Sequence, residues 1–96
     1  MVAFSDRVVV PAHVLVRHLD GESVLLNLET EKYFGLDAMG TRMWELLTGL
    51  PRIEAAYEAL SDEFEVDPEL LRAHLAELLD LLVENGLLNV ARAQAI

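Results

Sequence analysis

Ser23-Val24-Leu25-Leu26-Asn27-Leu28-Glu29-Thr30-Glu31-Lys32-Tyr33-Phe34-Gly35-Leu36-Asp37 is the stretch that decides the fold. Side chains of a strand alternate between its faces, so Val24, Leu26 and Leu28 fall on one side and Leu25 and Asn27 on the other. Glu29-Thr30-Glu31 forms a polar loop, and Lys32 to Leu36 reads as another strand. Upstream, Val14 to His18 is a strand joined to Ser23–Leu28 through Leu19-Asp20-Gly21-Glu22, where Asp-Gly is a hairpin signal. Together these make a three-stranded antiparallel meander. Pro11 behind Val8-Val9-Val10 would interrupt a central ladder, so residues 1–13 read as an N-terminal arm or edge strand.

From Asp37 the apolar spacing becomes helical. Asp37 can cap a helix running to about Thr48, with Gly49 as its stop and Met39, Met43, Leu46 and Leu47 as its apolar face. Pro51 suits the first turn of a second helix carrying Ile53, Ala56, Tyr57, Leu60 and Phe64. Asp67-Pro68 is a cap followed by proline at the first helical position, and opens a third helix to about Asn85, stopped by Gly86. Leu87 to Val90 adds a short extended piece, and residues 91–96 read as a tail. Strands followed by helices predict an α+β domain over residues 14–90 with a winged helix-turn-helix outline. Three strands alone bury too little surface, so the helices must cover one face of the sheet.

The chain has 96 residues and a formal charge of −10. That length suits one domain. The charge opposes nucleic acid and anionic membranes, whose attraction depends on Lys and Arg, and the seven basic residues here are scattered. There is no cysteine, hence no disulfide, thiolate metal site or cysteine nucleophile. The start carries no basic segment followed by an apolar one, and no apolar run approaches the roughly 20 residues of a membrane helix. A cytoplasmic protein is expected.

Chemistry is sparse. His13, His18 and His74 do not pair at metal-ligand spacing, and His74 with Glu77 on the third helix is too small a donor set. Ser5, Ser23 and Ser61 lack a nucleophile setting, and the glycines are too far apart to cradle a phosphate. Glu63, Glu65, Asp67 and Glu69 are acidic neighbours, but Asp67 and Glu69 complement a helix N-terminus and the others suit solvent. The expectation is no enzyme, no metal and no cofactor.

Two features point to binding. On the third helix Leu71, Leu75, Leu78 and Leu82 form a stripe, with Leu70, His74 and Leu81 to one side and Leu79 to the other. This arc is wider than the roughly 100° a surface helix needs. Either the helix is central and packs on several elements, or one flank lines a groove. The second feature is the strand Lys32–Leu36. As an edge it leaves backbone N–H and C=O groups free to accept a strand from another chain, and Lys32 can blunt it against aggregation. Tyr33 and Phe34 point to opposite faces, so one packs inward and the other can meet a guest.

The stretch Val24 to Asp37, followed by Gly40-Thr41-Arg42-Met43-Trp44-Glu45-Leu46-Leu47, resembles the PqqD-like family. The likeness continues through the Asp67 helix to Gly86-Leu87-Leu88, covering about residues 14–88. It implies a recognition element of ribosomally made, modified peptides: three strands and three helices that bind the leader segment of a precursor. The leader would add to the third strand, at Lys32, Tyr33, Phe34, Gly35 and Leu36, and rest on Leu70, Leu71, His74, Leu75 and Leu78. Implied partners are that leader and a separate modifying enzyme. This is a protease or cyclase of the lasso-peptide type or, alternatively, a radical SAM enzyme of the kind in pyrroloquinoline quinone assembly. Two other readings share the outline. A winged-helix regulator would need basic residues on the third helix, which offers only Arg72 against Glu69, Glu77, Asp80 and Glu84. A dimerisation module would use the same groove and edge on a second copy, giving a homodimer.

Overall fold

The structure, a computed structural model, describes residues 3–91. Its elements in chain order are β1 (Arg7–Val9), β2 (Val14–Leu19), β3 (Glu22–Asn27), β4 (Lys32–Leu36), α1 (Ala38–Gly49), α2 (Ile53–Glu63), α3 (Pro68–Glu84) and β5 (Asn89–Ala91). This is the α+β arrangement expected, a three-stranded antiparallel sheet followed by three helices. Beyond Ala91 the expected tail lies outside the described residues.

The sheet runs in the order β2-β3-β4, with Leu25 opposite Val16 and Phe34, and Leu26 opposite Leu15 and Tyr33. Asp20 and Gly21 both take positive φ, at 49° and 83°, the backbone that lets a two-residue hairpin turn follow the twist of its strands. Inward go Ser23, Leu25 and Asn27 of β3, and outward go Val24 and Leu26. The face carrying two polar residues is thus the core face. Both are satisfied there. The Ser23 and Thr41 hydroxyls lie 2.8 Å apart. The Asn27 amide nitrogen donates to the carbonyls of Asn85 and Gly86, and its oxygen accepts from the N–H groups of Glu29 and Thr30.

The helices cover that face. Asp37 caps α1, accepting from Gly40 N–H at 2.8 Å. The helix extends through Gly49 to a Leu50 cap, and its buried residues are Thr41, Met43, Trp44 and Leu47. Met39 and Leu46 of the expected face pack against the core half-buried. Pro51 lies outside α2, which begins at Ile53 behind Arg52, a residue with no side-chain cap. The arm supplies the missing acceptors. Ile53 N–H donates to Asp6 C=O at 2.9 Å and Glu54 N–H to Phe4 C=O at 2.7 Å. Two donors that every helix start leaves orphaned are thereby satisfied. Phe4 is buried beside Tyr57, ring centroids 5.9 Å apart, with the Arg72 guanidinium 4.0 Å over its ring. β1 then pairs antiparallel with β5 in a separate two-stranded sheet. Residues 3–9 therefore brace the core, and the short extended piece after Gly86 finds its partner in β1.

α3 is capped by Asp67 on Glu69 and Leu70 N–H and ends at Asn85, with Gly86 at φ +68° just beyond. Its buried residues are Leu71, Leu75, Leu79 and Leu82. The centre of the apolar face is thus rotated towards Leu79 relative to the expected stripe, and Leu78 sits half-buried at its margin.

Candidate functional site

Among the described residues β4 has one partner, β3, so its other side is an open edge. In an antiparallel ladder alternate residues turn their N–H and C=O groups away from the neighbour, which leaves half of those on β4 facing outward. Phe34 packs against the core and Leu36 is buried. Tyr33 is 77% exposed on the opposite face, and Lys32 and Gly35 are exposed. An ideal Cβ at Gly35 would meet nothing within 4 Å, so space is open beside Tyr33. β2 is also an edge, and His13 just before it reaches the Gly86 carbonyl beyond the end of α3. Lys32 shares a cleft with Glu84, Asn85 and Gly86.

The two flanks of α3 differ in what they face. Relative to Leu75, a helix advancing about 100° per residue puts Arg72, Ala76 and Val83 on one flank and Leu70, His74, Leu78 and Leu81 on the other. The first flank meets the arm and α2. Arg72, Ala73 and Ala76 line a groove with Phe4, Ser5 and Glu54, and Arg72 also pairs with Glu54 at 3.7 Å. The second flank is turned away from that packing. Leu70 is 53% and Leu81 45% exposed, His74 is exposed, and Leu78 is half-buried.

The ten residues expected at the site therefore separate. Lys32, Tyr33, Phe34, Gly35 and Leu36 form the open edge strand, with Leu36 offering backbone only because its side chain is buried. Leu70, His74 and Leu78 share the free flank. Leu71 and Leu75 do not line it. They lie on the core side of α3, at 3% and 0% exposure, because the helix packs its centre on the core. Leu81, left out of the expected set, takes their place on the flank. The signal for it was present, since Leu81 falls beside Leu70 and His74 in helical projection.

Two further groups of titratable side chains tie elements of the fold together. The Arg42 guanidinium bonds both Glu63 oxygens and reaches Glu45, tying the exposed side of α1 to the end of α2. These bonds raise the Arg42 pKa and hold the Glu63 carboxyl below the usual carboxylate range. His13 reaches the Gly86 carbonyl with Nε2 at 3.2 Å and the Glu29 carboxylate with Nδ1 at 3.6 Å. His18 and His74 are exposed. Among the described residues no cluster of three or more His, Cys, Asp or Glu side chains could hold a metal ion. No helix among them is long and apolar enough to cross a membrane.

The family model described as coenzyme PQQ synthesis protein D (PqqD) matches residues 22–88, from the start of β3 to the end of the Gly-Leu-Leu turn. The chain belongs to the PqqD family. Among solved structures it is similar to TbiB1 in complex with the TbiA(beta) leader peptide, at 38% identity over 88% of this chain and 98% of that one, with a TM-score of 0.79. A lasso peptide synthetase B1 complexed with its leader peptide shares the fold at 20% identity over 86% and 98% of the two chains, with a TM-score of 0.71. No curated protein matches the chain. The matched span contains β4 and the whole of α3, the elements that carry the open edge and the exposed leucine flank.

Proposed function

We propose that this protein binds the leader segment of a ribosomally made precursor peptide and presents it to a separate modifying enzyme. The leader adds as a strand to β4, through the backbone of Lys32 to Leu36, and its inward side chains rest on Phe34 and the flank Leu70, His74, Leu78 and Leu81. Main-chain bonds give affinity and the pockets between side chains give selectivity. One observation carries the reading: an unpaired strand edge and an exposed leucine flank occur together in a chain 38% identical to TbiB1, which is known in complex with a leader peptide.

The protein acts in trans in the cytoplasm, where precursors are translated, as an adaptor without catalysis of its own. The recognition unit is residues 14–90, braced by the arm. Its partner enzyme is of the lasso-peptide protease or cyclase kind, a choice in keeping with the structural neighbour named a lasso peptide synthetase B1. The alternative, a radical SAM enzyme, draws on the family description.

The test is an NMR titration of isotope-labelled protein with the TbiA(beta) leader peptide and with the precursor encoded beside this protein's gene. Shifts should concentrate on Lys32 to Leu36 and on Leu70, His74, Leu78 and Leu81. Shifts confined to β2 or to the arm, or none with either peptide, would overturn the proposal.

A further inference from the structure

A polar cleft of about 350 Å³ opens at the start of β4, where four parts of the chain meet. His13 comes from the segment before β2. Asn27, Glu29, Thr30 and Lys32 come from the β3–β4 turn. Glu84, Asn85 and Gly86 close α3, and Asn89 opens β5. Asn27 is a wall of this cleft rather than a ligand, because both ends of its buried amide are already bonded. His13 is engaged by the Gly86 carbonyl and Glu29. Among the described residues, the charged side chains of this cleft without a bonded partner are Lys32 and Glu84.

Position and charge say what enters it. β2, β3 and β4 alternate in direction, and a strand that continues the pattern on β4 runs from the Leu36 end to the Lys32 end. Its C-terminal continuation leaves past Lys32 and meets the cleft. Glu29 and Glu84 contribute two carboxylates. The C-terminus of α3 adds the equivalent of about half a negative charge, and its last turn holds no basic residue to offset it. Lys32 and the His13 ring do not cancel this sum, so a cation is favoured.

We infer that this cleft is a second recognition site for the leader, taking a lysine or arginine side chain just C-terminal to the strand-forming segment, with Glu84 selecting it. The inference rests on strand addition to β4. It would make the reader of the leader's exit, the side leading to the peptide to be modified, separate from the apolar groove that holds the strand.

The probe is an mRNA-display library built on the TbiA(beta) leader and on the neighbouring precursor's leader, with each position after the strand-forming segment randomised singly. It is selected against the wild-type chain, Glu84→Lys and, as a control with the same charge change outside the cleft, Glu77→Lys. An ion pair at such a rim corresponds to an affinity ratio of about twofold to fivefold. Wild type and Glu77→Lys should therefore enrich Arg and Lys over Glu by about that factor at one position, and Glu84→Lys should enrich Asp and Glu there instead. Binders recovered with no charge preference, with an acidic preference, or with the basic preference intact in Glu84→Lys would overturn the inference alone. No binders from any pool would overturn strand addition itself, and this inference with it.

Discussion

Leu79 and Leu81 stand two residues apart on α3 and should report on different things. Leu79 is 0% exposed in the core, whereas Leu81 is 45% exposed on the free flank. Burying a leucine side chain completely is worth about 1.5–3 kcal/mol. A guest strand that covers the exposed share of Leu81 therefore gains about 0.7–1.4 kcal/mol from it, or about threefold to tenfold in affinity. Leu81→Ala should raise Kd for a binding leader by that factor and leave the urea midpoint nearly unchanged. Leu70→Ala, starting from 53% exposure, should behave alike. Leu79→Ala leaves a cavity and should lose about 2–5 kcal/mol of stability. The folded protein should still bind with close to wild-type affinity. The assay is fluorescence anisotropy of labelled leader, with urea denaturation of the same samples. If Leu81→Ala and Leu70→Ala both keep wild-type affinity, the leader does not lie on this flank. If Leu79→Ala weakens binding more than either while still folded, the division of α3 into core and groove is wrong.

Four further outcomes follow from the same geometry. A bound leader N-methylated at a residue that pairs with β4 should lose about twofold to tenfold in affinity per blocked bond, read by competition, and methylation at the intervening residues should not. Asn27→Ala strands the carbonyl of Asn85 and the N–H groups of Glu29 and Thr30, leaving the Gly86 carbonyl to His13, and should cost about 1–3 kcal/mol in a denaturant titration. The Glu63 carboxyl is held below its ordinary range by Arg42, so its contribution is present above the unfolded-state pKa and is lost as pH falls through the folded-state value. The Tm difference between wild type and Glu63→Gln should accordingly be present near neutrality and vanish in acid. Phe4→Ala removes the ring that Arg72 and Tyr57 pack on and should destabilise the fold by about 3–5 kcal/mol in calorimetry, although Phe4 precedes the first strand.

The alternation in Val14–Leu36, the Asp-Gly turn and the Asp37 and Asp67-Pro68 caps made the meander and the starts of α1 and α3 legible, because each is a local rule. What was not legible depends on partners distant in sequence. Nothing near Pro51 says that α2 starts two residues later, since its first N–H groups are bonded by Phe4 and Asp6. The core face of β3 holds Ser23 and Asn27 rather than Val24 and Leu26, because Thr41 and the end of α3 satisfy the polar pair. On α3 the period gave a wide arc of leucines, but its centre was fixed only by packing, with Arg72 drawn to Phe4 and Glu54 on one side. That rotation carries Leu79 into the core, moves Leu78 to its margin and leaves Leu81 on the surface.

The same rotation decides what the helix-turn-helix outline can be used for. A reader of duplex DNA needs its recognition helix to bring free cations to phosphates and base edges. Here the one basic residue of α3 is spent on Phe4, Tyr57 and Glu54. What the helix offers outward is Glu69, Glu77, Asp80 and Glu84 around Leu70 and Leu81. Against a polyanion that surface repels, and about −10 of net charge reinforces it at long range. An extended peptide suits it better, because Leu70 and Leu81 offer apolar surface to cover and β4 keeps an open edge to pair with. An outline shared with DNA-binding proteins thus becomes a peptide reader through the placement of one arginine and the exposure of a few leucines, with no change of fold.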